Sequence, residues 1–355
     1  MYMSDFSKYK IMELPRNVVV GHDVLSGIPE NCARLGLPRS VLIVADEITK
    51  KIAGLEIETL LKVAGFNVEM VCIKEADADT VTAVQNQAEE MKNVFLAGIG
   101  GGRPIDVAKC ASFNAGEDFI SVPTAATHDG IVSSKASILV DGIKESLDAQ
   151  TPLAVFADTG IIAKSPFRML AAGCGDIISN KTAVLDWKLA YKLGKDEYSS
   201  YAATLSEITA DMLITNADQI VPGVEESSWQ VIKALVSSGV AMSIAGSSRP
   251  ASGAEHKFSH ALDRVAKTPA LHGEQCGIGA IMMMSLHGGD WKSIRNALGT
   301  IGAPTKASEI DISRDEIIRA LVKANDIKPD RYTILGEKGL TADKAEELAE
   351  LTGVI

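Results

Sequence analysis

His256 and His260 stand four residues apart in Glu255-His256-Lys257-Phe258-Ser259-His260, so on a helix they share one face. His272 follows in Leu271-His272-Gly273-Glu274, and Asp176 lies well upstream in Gly173-Cys174-Gly175-Asp176. Nitrogen and oxygen donors of this kind can hold a divalent metal with one coordination position open, the usual arrangement of catalytic zinc. A lone histidine is more often structural. This chain has six, His22, His128, His256, His260, His272 and His287. Two of them a helical turn apart, with a third close behind, favour a metal. Spacing does not choose Asp176 over the other acids.

A second signal is Gly98-Ile99-Gly100-Gly101-Gly102-Arg103-Pro104-Ile105-Asp106. It follows an expected strand and opens an expected helix. Glycines there let backbone N–H groups approach a pyrophosphate, whose charge the helix dipole favours. The G-x-G-x-x-G dinucleotide fingerprint is not met, because Arg103 takes the last position counted from Gly98. A tight turn without a ligand is the competing reading, and the three consecutive glycines favour a phosphate loop. Beside this loop, the metal set points to a metal-dependent dehydrogenase. The run Ser121-Val122-Pro123-Thr124-Ala125-Ala126-Thr127-His128-Asp129-Gly130 follows the next strand and falls on the same carboxyl edge, where ligands of open α/β sheets bind. Asp46 ends a strand too, and either accepts from a ribose hydroxyl or caps a helix. Cys174, among Ala171-Ala172-Gly173, reads as a small buried residue rather than a nucleophile.

These residues need a frame. The first part of the chain alternates strands (41–45, 67–73, 94–98, 119–122) with helices (48–64, 80–92, 104–115), which implies a parallel sheet covered by helices on both faces. After about residue 160 the pattern becomes mostly helical, with stretches at 176–193 and 229–245 and a capping box at Ser313-Arg314-Asp315-Glu316. The fold class is therefore α/β, and 355 residues are enough for two domains. A formal net charge of −11 argues against nucleic-acid binding and against adhesion to an anionic membrane, while leaving room for a local anion site. The five cysteines, Cys32, Cys72, Cys110, Cys174 and Cys276, are scattered and odd in number, as in a protein of reduced thiols. No apolar run reaches the ~20 residues that span a bilayer, and the N-terminus lacks the pattern of a signal peptide. The stretch Ile281-Met282-Met283-Met284 reads as a buried helix.

The segments GIGGGRPIDVAK (98–109), SVPTAATHDG (121–130), AAGCGDIISN (171–180), EHKFSHALD (255–263) and RYTIL (331–335) together resemble the sn-glycerol-1-phosphate dehydrogenase family. These are the archaeal-type enzymes of the iron-containing alcohol dehydrogenase and glycerol dehydrogenase superfamily. The likeness runs over nearly the whole chain, and the pairing of TAATHDG with EHKFSHALD is its most specific part. The resemblance implies a Rossmann-like domain (1–160), a helical metal- and substrate-binding domain (161–355) and an active site in the cleft between them.

Carried over by motif, Asp176, His256 and His272 would hold Zn2+. His260 and Asp129 would be the catalytic residues and would contact substrate, as would Asp176. Gly102, Arg103, Pro104, Ile105, Asp106, Thr124, Ala125, Ala126, Thr127 and Ser133 would contact NAD or NADP. Lys135 would reach the substrate phosphate or only solvent. The implied reaction is reversible reduction of dihydroxyacetone phosphate to sn-glycerol 1-phosphate, which supplies the backbone of archaeal-type membrane lipids. A cytoplasmic homo-oligomer is expected. The alternatives are a glycerol or polyol dehydrogenase of the same superfamily, a dehydroquinate-synthase-like lyase, and a binding protein with a closed structural zinc.

Overall fold

A computed structural model of the chain describes residues 11–268 and 270–355. The eight strands among them are β1 (Asn17–Gly21), β2 (Ser40–Ala45), β3 (Asn67–Cys72), β4 (Val94–Gly100), β5 (Phe119–Pro123), β6 (Lys135–Val140), β7 (Ile143–Asp148) and β8 (Ala154–Asp158). Six form one parallel sheet in the order β1-β8-β5-β4-β2-β3. The inner strands β4, β5 and β8 are buried at every position, so they read as continuous apolar runs rather than alternating ones. On one face Val41, Ile43, Phe95, Ala97, Ile120 and Phe156 pack in the core shared with the helices Ile28–Leu35 and Leu55–Val63. On the other, Leu42, Val44, Leu96, Val155 and Ala157 join a core continuous with the helical part of the chain. Alternate residues of a strand point to opposite faces, which is how four short strands supply both cores.

The sheet order reverses beside β4. The chain leaves β2 for β3 on one side, returns to β4, and leaves β4 for β5 on the other side. Loops after β2 and β4 therefore flank a crevice at the carboxyl edge, the place where open α/β sheets take their ligands. Asp46 and the glycine loop fall there.

Expected strands and helices of the first part all occur, with shifts at their ends. The expected helix at 48–64 splits into a π turn, Lys50–Gly54, and the helix Leu55–Val63. Three features went unread in the sequence. Strands β1 and β8 have five residues each and no period to mark them. Strands β6 and β7 form an antiparallel hairpin around Asp141-Gly142, whose φ values of 51° and 76° are both positive, as a two-residue type I′ turn demands.

Past Asp158 the described residues contain helices and no strand. The long helix Phe167–Lys192 starts earlier than the sequence suggested. Gly173 and Gly175 look like breaks, yet they lie inside it because neighbouring backbone comes too close for any side chain. A Cβ on Gly173 would stand 2.2 Å from the Ala126 carbonyl oxygen, and one on Gly175 would stand 2.3 Å from that of Gly273. The helix Arg314–Lys323 begins at Ser313 with the reciprocal Ser313–Glu316 cap, as its sequence predicts. Met282 and Met283 are fully buried in the helix His272–Leu286. None of the described helices is long and apolar enough to cross a membrane. All five cysteines are free thiols, and burial pushes Cys174 up to about 12.

Candidate active site

A cleft of about 890 Å³ opens between the carboxyl edge of the sheet and the helices behind it. His256 and His260 reach it from one face of the helix Ala254–Val265, and His272 from the first residue of the helix His272–Leu286. Asp176 comes from the middle of Phe167–Lys192 and is 2% exposed. Its Oδ1 stands 3.7 Å from His256 Nε2 and 3.7 Å from His272 Nε2, too far for hydrogen bonds. Two ligands about 2.1 Å from one ion at the tetrahedral angle are about 3.4 Å apart, so the spacing suits donors around a shared cation. Cys276 adds a fourth donor. Its Sγ is 3.5 Å from His272 Nε2, and candidate ligand atoms of Asp176, His256, His272 and Cys276 all lie within 4.8 Å of one another. Sequence reasoning passed over Cys276, although His272 and Cys276 have the same i, i+4 spacing that drew attention to His256 and His260.

Hydrogen bonds around this set aim its lone pairs inward. His256 Nδ1 donates to Glu255 Oε1 at 3.0 Å, which leaves Nε2 as the free donor atom. Ser259 Oγ donates to Gln275 Oε1 at 2.6 Å, so it accepts from His272 Nδ1 at 3.2 Å and leaves that Nε2 free too. Asp176 Oδ2 accepts the Asp129 N–H at 2.9 Å, which turns Oδ1 toward the histidines. Asp129 Oδ2 in turn accepts from Ser238 Oγ at 2.7 Å. Such outer partners matter to metal affinity. Glu255→Gln is expected to weaken zinc binding by about 10- to 100-fold, read by competition with a fluorescent chelator. Unchanged affinity would show that Glu255 serves only the helix start, where it also accepts from Gly253 N and Thr182 Oγ1.

The electrostatics ask for a cation. Burial pushes the Asp176 carboxyl up to about 7, and the Asp129 charge adds to that. Burial and the neighbouring His256 charge hold His272 well below the ordinary histidine value. His260 is pushed down to about 3, first by burial and then by His256 and Lys328, so its imidazole is neutral around pH 7. For His256, burial lowers the pKa, but Cys276 and Glu255 outweigh it and the result is raised. A divalent ion between Asp176 and the imidazoles would stabilise the carboxylate that burial disfavours.

The opposite wall carries the glycine loop, and its glycines divide by task. A Cβ on Gly98 would meet Ile105 Cα at 2.9 Å, so that glycine serves helix-on-strand packing. Gly102 gives way to His128, whose Nε2 would stand 2.5 Å from a Cβ there. A Cβ on Gly101 meets nothing within 4 Å, and Gly101 caps the helix Gly102–Ala115 with no side chain covering the N–H groups. That open helix start faces the cleft, as a phosphate site needs.

Of the residues expected at a cofactor, Gly102, Arg103, Pro104, Asp106, Thr124, Ala125, Thr127 and Ser133 line the cleft. Ile105 and Ala126 do not line it. Ile105 is fully buried beneath Gly98, and the Ala126 carbonyl packs on Gly173. The Asp106 carboxylate is engaged by Ser137 N at 3.0 Å and Lys109 Nζ at 3.2 Å. Lys109 is fully buried and also donates to the carbonyls of Gly130 and Lys135. This pair therefore tethers the segment from His128 to Ser137. Asp46 fills its capping role through Oδ1, which accepts from Ile48 N and Thr49 N, while Oδ2 stands 3.9 Å from Arg103 in the cleft wall. Lys135 lines the cleft with its ammonium on Asp148.

Residues 19–166 match the family model of iron-containing alcohol dehydrogenases. A protein of Methanosarcina acetivorans named glycerol-1-phosphate dehydrogenase, NAD(P)+, is 56% identical over 98% of this chain and 97% of its own length. One of the same name from Methanococcoides burtonii is also 56% identical, with the same coverage. Among solved structures, glycerol dehydrogenase from Schizosaccharomyces pombe aligns with a TM-score of 0.79 at 19% identity, covering 98% of this chain and 91% of that one. A probable glycerol dehydrogenase from Sinorhizobium meliloti aligns with a TM-score of 0.76 at 19% identity, covering 97% and 98%. These two likenesses concern the fold.

Proposed function

The chain belongs to the glycerol-1-phosphate dehydrogenase family, and from that premise we propose that it interconverts dihydroxyacetone phosphate and sn-glycerol 1-phosphate with NAD(P)H and zinc. The observation that carries the reading is the placement of Asp176, His256 and His272 across one cleft from the uncapped glycine-loop helix. Zinc, when bound, supplies polarisation of the ketone oxygen and stabilisation of developing negative charge, and the nicotinamide supplies the hydride. The chain's own part is to bind and orient. Asp176, His256 and His272 hold the ion, and their outer hydrogen bonds fix which atoms do so. Gly101, Gly102, Thr124, Thr127 and Ser133 hold the cofactor on the sheet side, so residues 1–160 serve the nucleotide and 161–355 serve metal and substrate.

His260 and Asp129 line the same space, where they would contact the substrate hydroxyls. The neutral His260 ring can accept or donate a hydrogen bond at a substrate hydroxyl beside the reacting oxygen without adding charge of its own. Holding hydride donor and ketone in one geometry is the larger contribution, since positioning alone can supply several kcal/mol of the barrier.

Separate oxidation of the two glycerol phosphate enantiomers with NAD+ and NADP+, with and without chelator, tests the reading. The expected result is turnover of sn-glycerol 1-phosphate, loss of it in chelator and recovery with Zn2+. Preference for glycerol, or for the sn-3 enantiomer, overturns it.

A further inference from the structure

We infer that the phosphate of the substrate is held by Lys328, Ser248 and Ser252, at the helical end of the cleft. The inference rests on the function proposed above and adds the residues that would distinguish a phosphorylated ketone from its free form. All three residues line the cleft together with His256 and His260. Ser248 and Ser252 belong to the loop Gly-Ser-Ser-Arg-Pro-Ala-Ser-Gly (246–253), which joins the helices Glu225–Ala245 and Ala254–Val265. Arg331 fixes this loop from behind. Its Nη1 donates to the Ser252 carbonyl at 2.7 Å and its Nη2 to Ser248 Oγ at 2.9 Å. Ser248 thus accepts through its oxygen and keeps its hydroxyl proton for another acceptor. Neither serine hydroxyl donates to any described residue.

Lys328 is an unpaired cation of the cleft, and its charge is felt at His260. Lys135 is held by Asp148, and Lys144 stands 3.6 Å from Asp263, but Lys328 makes no ion pair or side-chain hydrogen bond with any described residue. Its backbone has φ 46°, a left-handed conformation that lysine rarely adopts and that the following Pro329 does not favour. A hydrogen bond from Arg331 N to the Lys328 carbonyl at 2.9 Å closes the turn. Strain of this kind is kept where the surrounding structure imposes it, and here it presents an ammonium to the cleft. Although Lys328 is open to the cleft, the walls desolvate its ammonium and, with Arg331 and Lys135, lower its pKa to about 8. An anion beside it would offset that cost. The cofactor's phosphates have their own place at the glycine loop on the opposite wall, so the anion that fits here is a phosphate monoester on the reacting molecule.

The test compares dihydroxyacetone phosphate with unphosphorylated dihydroxyacetone, using the zinc-loaded enzyme and saturating NADH. Lys328→Gln is expected to raise KM for dihydroxyacetone phosphate about 10- to 100-fold, and to lower the kcat/KM ratio of the two ketones by a similar factor. Lys328→Arg should recover most of that loss, and Ser248→Ala should lower the ratio by a smaller factor. An unchanged ratio in Lys328→Gln overturns the subsite while leaving the reaction intact. A rise in KM for NADH in place of that for the ketone phosphate assigns Lys328 to the cofactor and also overturns it. A wild-type enzyme that does not prefer the phosphorylated ketone at all overturns the underlying function instead.

Discussion

His272→Ala is expected to bring bound zinc close to zero by elemental analysis and to lower turnover on the order of 10³-fold, the several kcal/mol that a bound Lewis acid supplies. His272 faces the site through Nε2, 3.7 Å from Asp176 Oδ1, while its Nδ1 is committed to Ser259. Alanine removes one donor and leaves Asp176 beside a gap, with His256 and Cys276 as the remaining metal donors of the described cluster. The buried carboxyl, already raised to about 7, then has less reason to ionise. Binding to the native state stabilises it, so the wild type should melt higher with zinc than in chelator, and the variant should lose that difference. The comparison separates loss of the metal from loss of the fold. His256→Ala should behave alike, with the added consequence that Glu255 loses its imidazole partner. Full activity in a zinc-free variant lacking both histidines would refute the assignment.

Much of this site is legible in the sequence because histidines a helical turn apart announce a shared face. The split of duties between His256 and His260 is not legible from spacing. The division proposed above is supported by Glu255, whose carboxylate fixes His256 as an inward-facing donor, whereas His260 makes no comparable bond with any described residue. Asp176 is illegible for another reason. A buried carboxylate inside a long helix looks like any other acid in the chain until helix packing brings it to the histidines. Cys276 reads as one scattered cysteine until its i, i+4 spacing from His272 is used, since both lie on the helix His272–Leu286.

In the fold, strands flanked by helices declare themselves by composition, and the expected parallel sheet is present. The hairpin of β6 and β7 was readable in principle from Asp141-Gly142, the residue pair that its turn requires. Strands β1 and β8 carry too few residues to show a period. They are defined by pairing with each other across a long sequence separation, which no local pattern records.

Glycines are the residues the sequence most misleads about, and Gly273→Ala makes the point measurable. In sequence Gly273 is a weak helix former just after a histidine. In space a Cβ on it would lie 1.8 Å from the Ala172 carbonyl oxygen, an atom of rigid helix backbone. The reciprocal contact, Gly175 on the Gly273 carbonyl, would bring a Cβ to 2.3 Å. The helices Phe167–Lys192 and His272–Leu286 thus touch backbone to backbone, beside Asp176 on one and His272 on the other.

A methyl group at 273 forces the helices apart by more than an ångström, because neither side can yield by rotating a side chain. The cost should reach about 3 kcal/mol or more, at the upper end for overpacking, with a fall in melting temperature on the order of 5 °C in chelator. Metal affinity should fall as well, since the separation moves the His272 and Asp176 donors beyond the spacing that one ion bridges. Gly299→Ala is the control. It also adds a methyl to a helical glycine, but the nearest atom, Thr305 Cγ2, is 3.9 Å away. It should leave metal affinity unchanged and hold or raise the melting temperature, as alanine does in an uncrowded helix. Equal melting and equal zinc affinity for the two variants would show that the helix contact does not position the metal ligands.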